Sequence, residues 1–209
     1  MKKTVSMLVL IALLFPEVFP YSSVEASSRY RNSKAKEAYF EIEGNVFNSG
    51  KIRKALAKIE AVQKYDQKDP WVYLATSMFF IVKGFKGYDW YEVKNFDRVD
   101  LQKAMDMARF AVKLGKKESQ AHAHLGRMFI LAKNFPKAVE SLDRARRLDP
   151  NSFYPWYLKG ILFEKQKKWN DAEYHFGEAE KRARYKYHHD IVNTHRGRVA
   201  LHQGDTLKK

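Results

Sequence analysis

The chain has 209 residues and a formal charge of +15, from 39 lysines and arginines against 24 acids, and it has no cysteine. Without cysteine there is no disulfide, no thiol nucleophile, no thiolate metal site and no attachment point for a lipoprotein anchor, so an apolar core must hold the fold unaided. The excess positive charge favours an anionic partner (acidic peptide segments, acidic polysaccharide, lipid head groups or nucleic acid) or serves solubility alone.

In chain order, the first predicted element is an export signal. Lys2 and Lys3 precede an apolar run from Val5 to Phe15. That run spans about 11 residues, the length of a signal-peptide core, where a membrane-spanning helix needs about 20. Val24 and Ala26 stand at the minus-three and minus-one positions of a signal-peptidase site. Cleavage is expected after Ala26, with residues 1–26 removed, residues 27–35 as a flexible N-terminus and a periplasmic or secreted product. The rival reading is an uncleaved N-terminal anchor, which Pro16, Glu17 and Pro20 oppose. Lys2, Lys3, Glu17 and Glu25 cancel, so the charge excess belongs to the remaining chain. Export makes nucleic acid the least fitting anion, and no nucleic-acid partner is expected.

Helices follow. Lys36–Asn48 and Ile52–Lys64 read as a first helix pair within residues 36–67, with Ala55, Ile59 and Val62 on one face. A second pair occupies residues 68–118. Asp69 is its N-cap and Pro70 its first turn, and Trp71, Leu74, Ala75 and Met78 supply its apolar face. Its second helix runs from Leu101 to Lys113, capped by Asp100 and ended by Gly115, with Ala104, Ala108 and Ala111 facing inward. Between these two helices lies an aromatic insertion, residues 84–100, holding Phe85, Tyr88, Trp90, Tyr91 and Phe96. Aromatics at that density pack on something: on the chain's own inner face as a lid, on a partner, or back on the outer side of the pair. Tyr88, Trp90 and Tyr91 are candidate binding residues.

The third and fourth pairs, residues 119–152 and 153–186, repeat one another at a spacing of 34. Gly126 returns as Gly160, Phe129 as Phe163, Ala138 as Ala172, Leu142 as Phe176 and Ala145 as Ala179. Glycine is required where the first helix of a pair crosses the second and a side chain would hold the backbones apart; the alanines serve the same close approach. The large residues fill the space between neighbouring pairs. Pro150 ends a helix and keeps Asp149 out of helical geometry. A last helix, residues 187–204, with Ile191, Val199 and Leu201 as apolar members, would cap the stack and leave residues 205–209 as a tail.

Taken from Ser119, this pattern resembles the tetratricopeptide repeat (TPR): Leu125 at position 7, Gly126 at 8, Phe129 at 11, Ala138 at 20, Leu142 at 24, Ala145 at 27 and Pro150 at 32. Trp156 takes position 4 of the next repeat. His122 replaces tryptophan at that position, Lys159 replaces leucine and Arg184 replaces proline. The resemblance is closest over Ser119–Arg184; upstream, Glu43 stands where the family has a small residue and Gly44 follows. It implies an all-α fold, a right-handed α-solenoid of about four antiparallel helix pairs plus a capping helix, with a concave groove lined by the first helix of each pair. Carried over by position, the groove would be lined by Phe40 and Phe47, by Val72, Thr76 and Phe79, by Gln120, Ala123, Arg127 and Ile130, and by Tyr154, Tyr157, Ile161 and Glu164. Some cytosolic relatives grip a C-terminal carboxylate with lysine and asparagine at two of these positions; Val72, Thr76, Ala123 and Arg127 stand there instead. The expected occupant is therefore an apolar or aromatic peptide, or a partner helix, with Arg127 pairing one acidic group. Several of the aromatics would equally serve as interior packing.

Arg144, Arg146 and Arg147 on one second helix, and Lys181, Arg182 and Arg184 on the next, form a basic patch suited to acidic polysaccharide or phospholipid head groups, or else a solvated face. The seven histidines are expected at the surface: His122 and His124 diverge, and His188 and His195 share a face without a third ligand. No metalloprotease, phosphate-loop or nucleophile-elbow motif occurs. The expectation is a non-enzymatic scaffold without cofactor or metal, assisting an envelope or secretion assembly. The alternative is a polyanion-binding protein of the cell envelope.

Overall fold

A computed structural model describes residues 33–45, 48–64, 66–87 and 91–206. The expected export signal, and with it Phe47, Tyr88 and Trp90, lies outside the described residues. Among those residues the chain is all-helical. Its helices are α1 (Lys34–Glu43), α2 (Ser49–Gln63), α3 (Pro70–Gly84), α4 (Arg98–Leu114), α5 (Ser119–Leu131), α6 (Phe135–Leu148), α7 (Phe153–Lys165), α8 (Trp169–Glu180) and α9 (Lys186–Thr206). None of them is long and apolar enough to cross a membrane.

Side-chain caps set most of the helix starts. Ser33, Asn48, Asp69, Asp97 and Asn134 each accept a first-turn backbone N–H, at α1, α2, α3, α4 and α6. Two boundaries differ from the sequence expectation for this reason. Helix α1 stops at Glu43, where the ladder tightens and the Asn45 N–H closes on the Ile42 carbonyl at 3.2 Å, and Asn48 begins α2 instead of ending α1. Helix α4 is capped by Asp97, whose carboxylate accepts from Val99 and Asp100. Asp100 lies a turn inside, buried, and pairs with Lys83 at 2.8 Å.

Each odd-numbered helix packs on the even-numbered one after it, and each pair packs on the next. The odd helices also touch in series, α1 on α3, α3 on α5 and α5 on α7, while α9 packs on α8 and α7. The third and fourth pairs repeat at the level of the backbone. Lys133 and Lys167 both take a left-handed conformation, φ 55° and 59°. In both turns the next residue closes on a phenylalanine carbonyl: Asn134 N–H on Phe129 and Lys168 N–H on Phe163, each at 2.9 Å. With links this short, the partners run antiparallel.

The paired glycines mark the helix crossings. A Cβ on Gly126 would stand 2.7 Å from Leu142, and one on Gly160 would stand 2.4 Å from Phe176. Ala138, Leu142, Ala145, Ala172, Phe176 and Ala179 are all fully buried. One apolar cluster fills α1 to α5 and a second fills α5 to α9; Phe40 of α1, Tyr91 of the insertion and Phe129 of α5 pack against both.

In the insertion, Phe85 and Phe96 form an antiparallel bridge, flanked by Lys86 N–H on the Asn95 carbonyl at 2.7 Å and Asp97 N–H on the Gly84 carbonyl at 2.8 Å. The excursion is thus zipped at its neck, so α3 and α4 still meet as a pair.

Candidate functional site

The side formed by the odd helices carries a dense set of polar contacts, which α1 enters through Tyr39 and Glu43. Tyr39, fully buried, takes a hydrogen bond from the Gln120 amide at 3.1 Å and faces His124 Nδ1 at 3.2 Å. His124 Nε2 meets the Ser77 hydroxyl at 2.8 Å, and that hydroxyl donates to the Ala104 carbonyl at 2.7 Å. The run is self-consistent with Tyr39 donating to Nδ1 and Nε2–H donating to Ser77. Burial, then the nearby Arg127 charge, hold His124 well below the ordinary histidine range, so it is neutral.

One turn beyond Tyr39, the Glu43 carboxylate reaches two other pairs. It accepts from Arg127 of α5 at 2.7 Å and from the Tyr154 hydroxyl of α7 at 2.5 Å. Each side chain of the ion pair is only 12% exposed. The Tyr154 hydroxyl also meets that of Tyr187, from α9, at 2.9 Å. Burial, then the Glu43 charge, push the Tyr187 phenol up to about 12. The Tyr154 ring lies 5.9 Å from the Arg127 guanidinium and 6.5 Å from the Phe40 ring.

A second cluster adjoins it. The Glu164 carboxylate of α7 meets His195 Nδ1 of α9 at 2.5 Å, and His195 Nε2 meets the Tyr157 hydroxyl at 3.1 Å. The Tyr91 ring, from the insertion, lies 6.4 Å from that of His195, and Glu92 pairs with Lys165 of α7 at 2.9 Å. The described second half of the insertion thus lies against α7 and α9 of its own chain.

The residues assigned to a groove are thus brought together, but they do not line an open wall. Val72 and Ile161 are fully buried, and Gln120, Tyr154 and Tyr157 nearly so. Phe40, Thr76 and Phe79 are half-buried, and Arg127 is largely buried. The Thr76 hydroxyl closes on its own helix, at the Val72 carbonyl. Phe79 turns away from the cluster to a shallow hollow between α2 and α3, with Ile52, Leu56 and Val82. Arg127, expected to meet a partner's acid, meets Glu43 of its own chain. The reason is the reach of α1 across α3 to α5 and α7.

The basic residues divide. Arg146 and Arg182 bracket the Trp156 ring at 5.4 and 4.5 Å, with Arg146 also on Asp143 and Arg182 on Glu178 at 2.9 Å. Lys181 pairs with the same glutamate. Arg144, Arg147 and Arg184 are exposed and form no ion pair among the described residues.

The expectation of surface histidines is corrected at three positions. His124, His188 and His195 are buried, because aromatic neighbours cover them: His188 stacks on Phe153 at 3.9 Å and His195 lies against Phe176 at 5.2 Å. Among the apolar members expected of the last helix, Leu201 is 72% exposed, while Val192 and Val199, seven residues apart, form the buried edge. Tyr39, Glu43 and Tyr187 were not read from the sequence as members of one site. The available signal was Glu43, a carboxylate at a position where a helix pair wants a small residue. No family model matches the chain, and no curated protein matches it.

Proposed function

We propose that the chain is a tetratricopeptide-type scaffold: a right-handed α-solenoid of about four helix pairs closed by α9, exported and cut after Ala26. In this reading it catalyses nothing and binds a protein segment bearing acidic and apolar groups, in support of an envelope or secretion assembly. The observation that carries the reading is the surroundings of Arg127. A guanidinium at a position that the repeat assigns to the groove is bonded to the Glu43 carboxylate and lies against the Tyr154 ring and the Met78 sulfur, which is the chemistry that selects an acidic group set among apolar ones.

The test is capture from envelope extracts on the immobilised protein at low and high salt. An apolar segment anchored by one ion pair stays bound as ionic strength rises, and Arg127→Gln abolishes its capture. N-terminal sequencing of the exported protein is expected to begin at Ser27; a start at Met1 would remove the cleavage claim.

A second reading, binding of acidic polysaccharide or lipid head groups, is favoured by Arg144, Arg147 and Arg184, which lie exposed without an ion pair among the described residues. Binding of that kind collapses with salt and is lost when these three arginines are replaced by glutamine.

A further inference from the structure

We propose that α1 is an internal stand-in for the partner, and that the partner is a helix with α1's own signature: two adjacent aromatics and a carboxylate one turn further on. The inference rests on reading the odd-helix side as the binding wall.

Three observations converge on it. The first is what α1 places against that wall. Tyr39 engages Gln120 and His124, Phe40 lies near Tyr154, and Glu43 engages Arg127 and Tyr154. Gln120, Arg127 and Tyr154 are positions that the repeat assigns to the groove. An aromatic pair followed by an acid is also what those positions would select in a ligand.

The second is Glu43 itself. At this position the third and fourth pairs carry Gly126 and Gly160, each pressed against a side chain of its partner helix. Helix α1 has a carboxylate there that serves α5 and α7 instead. The residue is placed for contact across the inner side.

The third is length. Helix α1 has 10 residues, below the roughly 12–15 at which an isolated helix becomes even marginally stable in water. Its order therefore comes from docking, and a segment held that way opens as a local unit below the cost of global unfolding. A helix of the same chemistry then competes for the vacated contacts. Its apparent affinity is reduced by the fraction of time α1 is docked.

The probe is a labelled peptide of residues 33–45, titrated against the full chain. Glu43→Gln keeps the shape and an acceptor for Tyr154 but removes the charge that holds Arg127. The expected result is binding at least tenfold tighter to Glu43→Gln than to the unaltered chain, lost again when Arg127→Gln is added. Hydrogen exchange on the unaltered chain gives a readout that needs no variant: the α1 amides are expected to exchange well before those of α5 and α7. Equal peptide affinity for the two chains, or an α1 that exchanges only with the whole molecule, overturns the proposal. Should Glu43→Gln capture a different apolar segment while ignoring the peptide, the binding wall stands and the stand-in role of α1 falls.

Discussion

At the residue scale, identical residue types separate by what they touch. Gly126 and Gly160 sit where a Cβ would fall within 2.7 Å of a buried side chain, whereas Gly177, inside α8, has nothing within 4 Å. Gly126→Ala and Gly160→Ala should each destabilise the chain by about 1–3 kcal/mol, the cost of overpacking a tight core. Gly177→Ala should stabilise it by about 0.5–1 kcal/mol, because the backbone loses less freedom on folding and meets no obstacle. Denaturant midpoints measure all three, and the same sign at Gly126 and Gly177 would refute the assigned crossing. The histidines make a second prediction. Burial lowers His124 well below 6.5 and takes His175 and His188 to about 4. A histidine that is harder to protonate when folded gives its full stability above its unfolded value and loses it as pH falls toward the folded value. The denaturation midpoint should therefore drop between about pH 6.5 and 4. Asp69 and Glu118, whose carboxyl groups burial raises, act in the opposite sense at the lower end of that window. A midpoint that held or rose as the pH fell toward 5 would contradict neutral buried imidazoles.

At the element scale, the helix pairs were legible because their signals are local. A 34-residue recurrence needs no knowledge of distant neighbours, and the twin left-handed turns at Lys133 and Lys167 show how far that recurrence reaches into the backbone. The insertion was legible as a segment but not as a placement, since its destination lies some seventy residues or more downstream: Glu92 pairs with Lys165 and the Tyr91 ring lies 6.4 Å from that of His195. Tyr91 packs against both apolar clusters, so Tyr91→Ala should cost about 1–3 kcal/mol, the usual range for removing a packed side chain. Urea denaturation measures it, and a cost near zero would place the insertion on the surface. The burial of His124, His188 and His195 was illegible for the same physical reason. Histidine carries no intrinsic preference strong enough to announce it, and the rings that cover it come from other helices.

At the scale of the whole molecule, the odd helices were expected to leave an open wall, and they meet across it instead. Glu43 of the first pair touches Arg127 of the third and Tyr154 of the fourth, and Tyr154 passes the contact to Tyr187 of α9. Repeat spacing sets neighbours along a stack; it says nothing of contacts between its ends. A residue at odds with the repeat was the trace such a contact left in the sequence, and Glu43 was that residue. Because Arg127 and Glu43 are both largely buried, Arg127→Met should cost about 3–5 kcal/mol by leaving a carboxylate without its counter-charge.

The closure itself is tested most directly by a double-mutant cycle between Glu43→Ala and Tyr154→Phe, residues 111 apart in the chain, read from denaturant unfolding. A contact across the stack predicts a coupling energy of roughly 0.5–3 kcal/mol, whereas effects that add to within about 0.3 kcal/mol would mean that the first and fourth pairs do not meet.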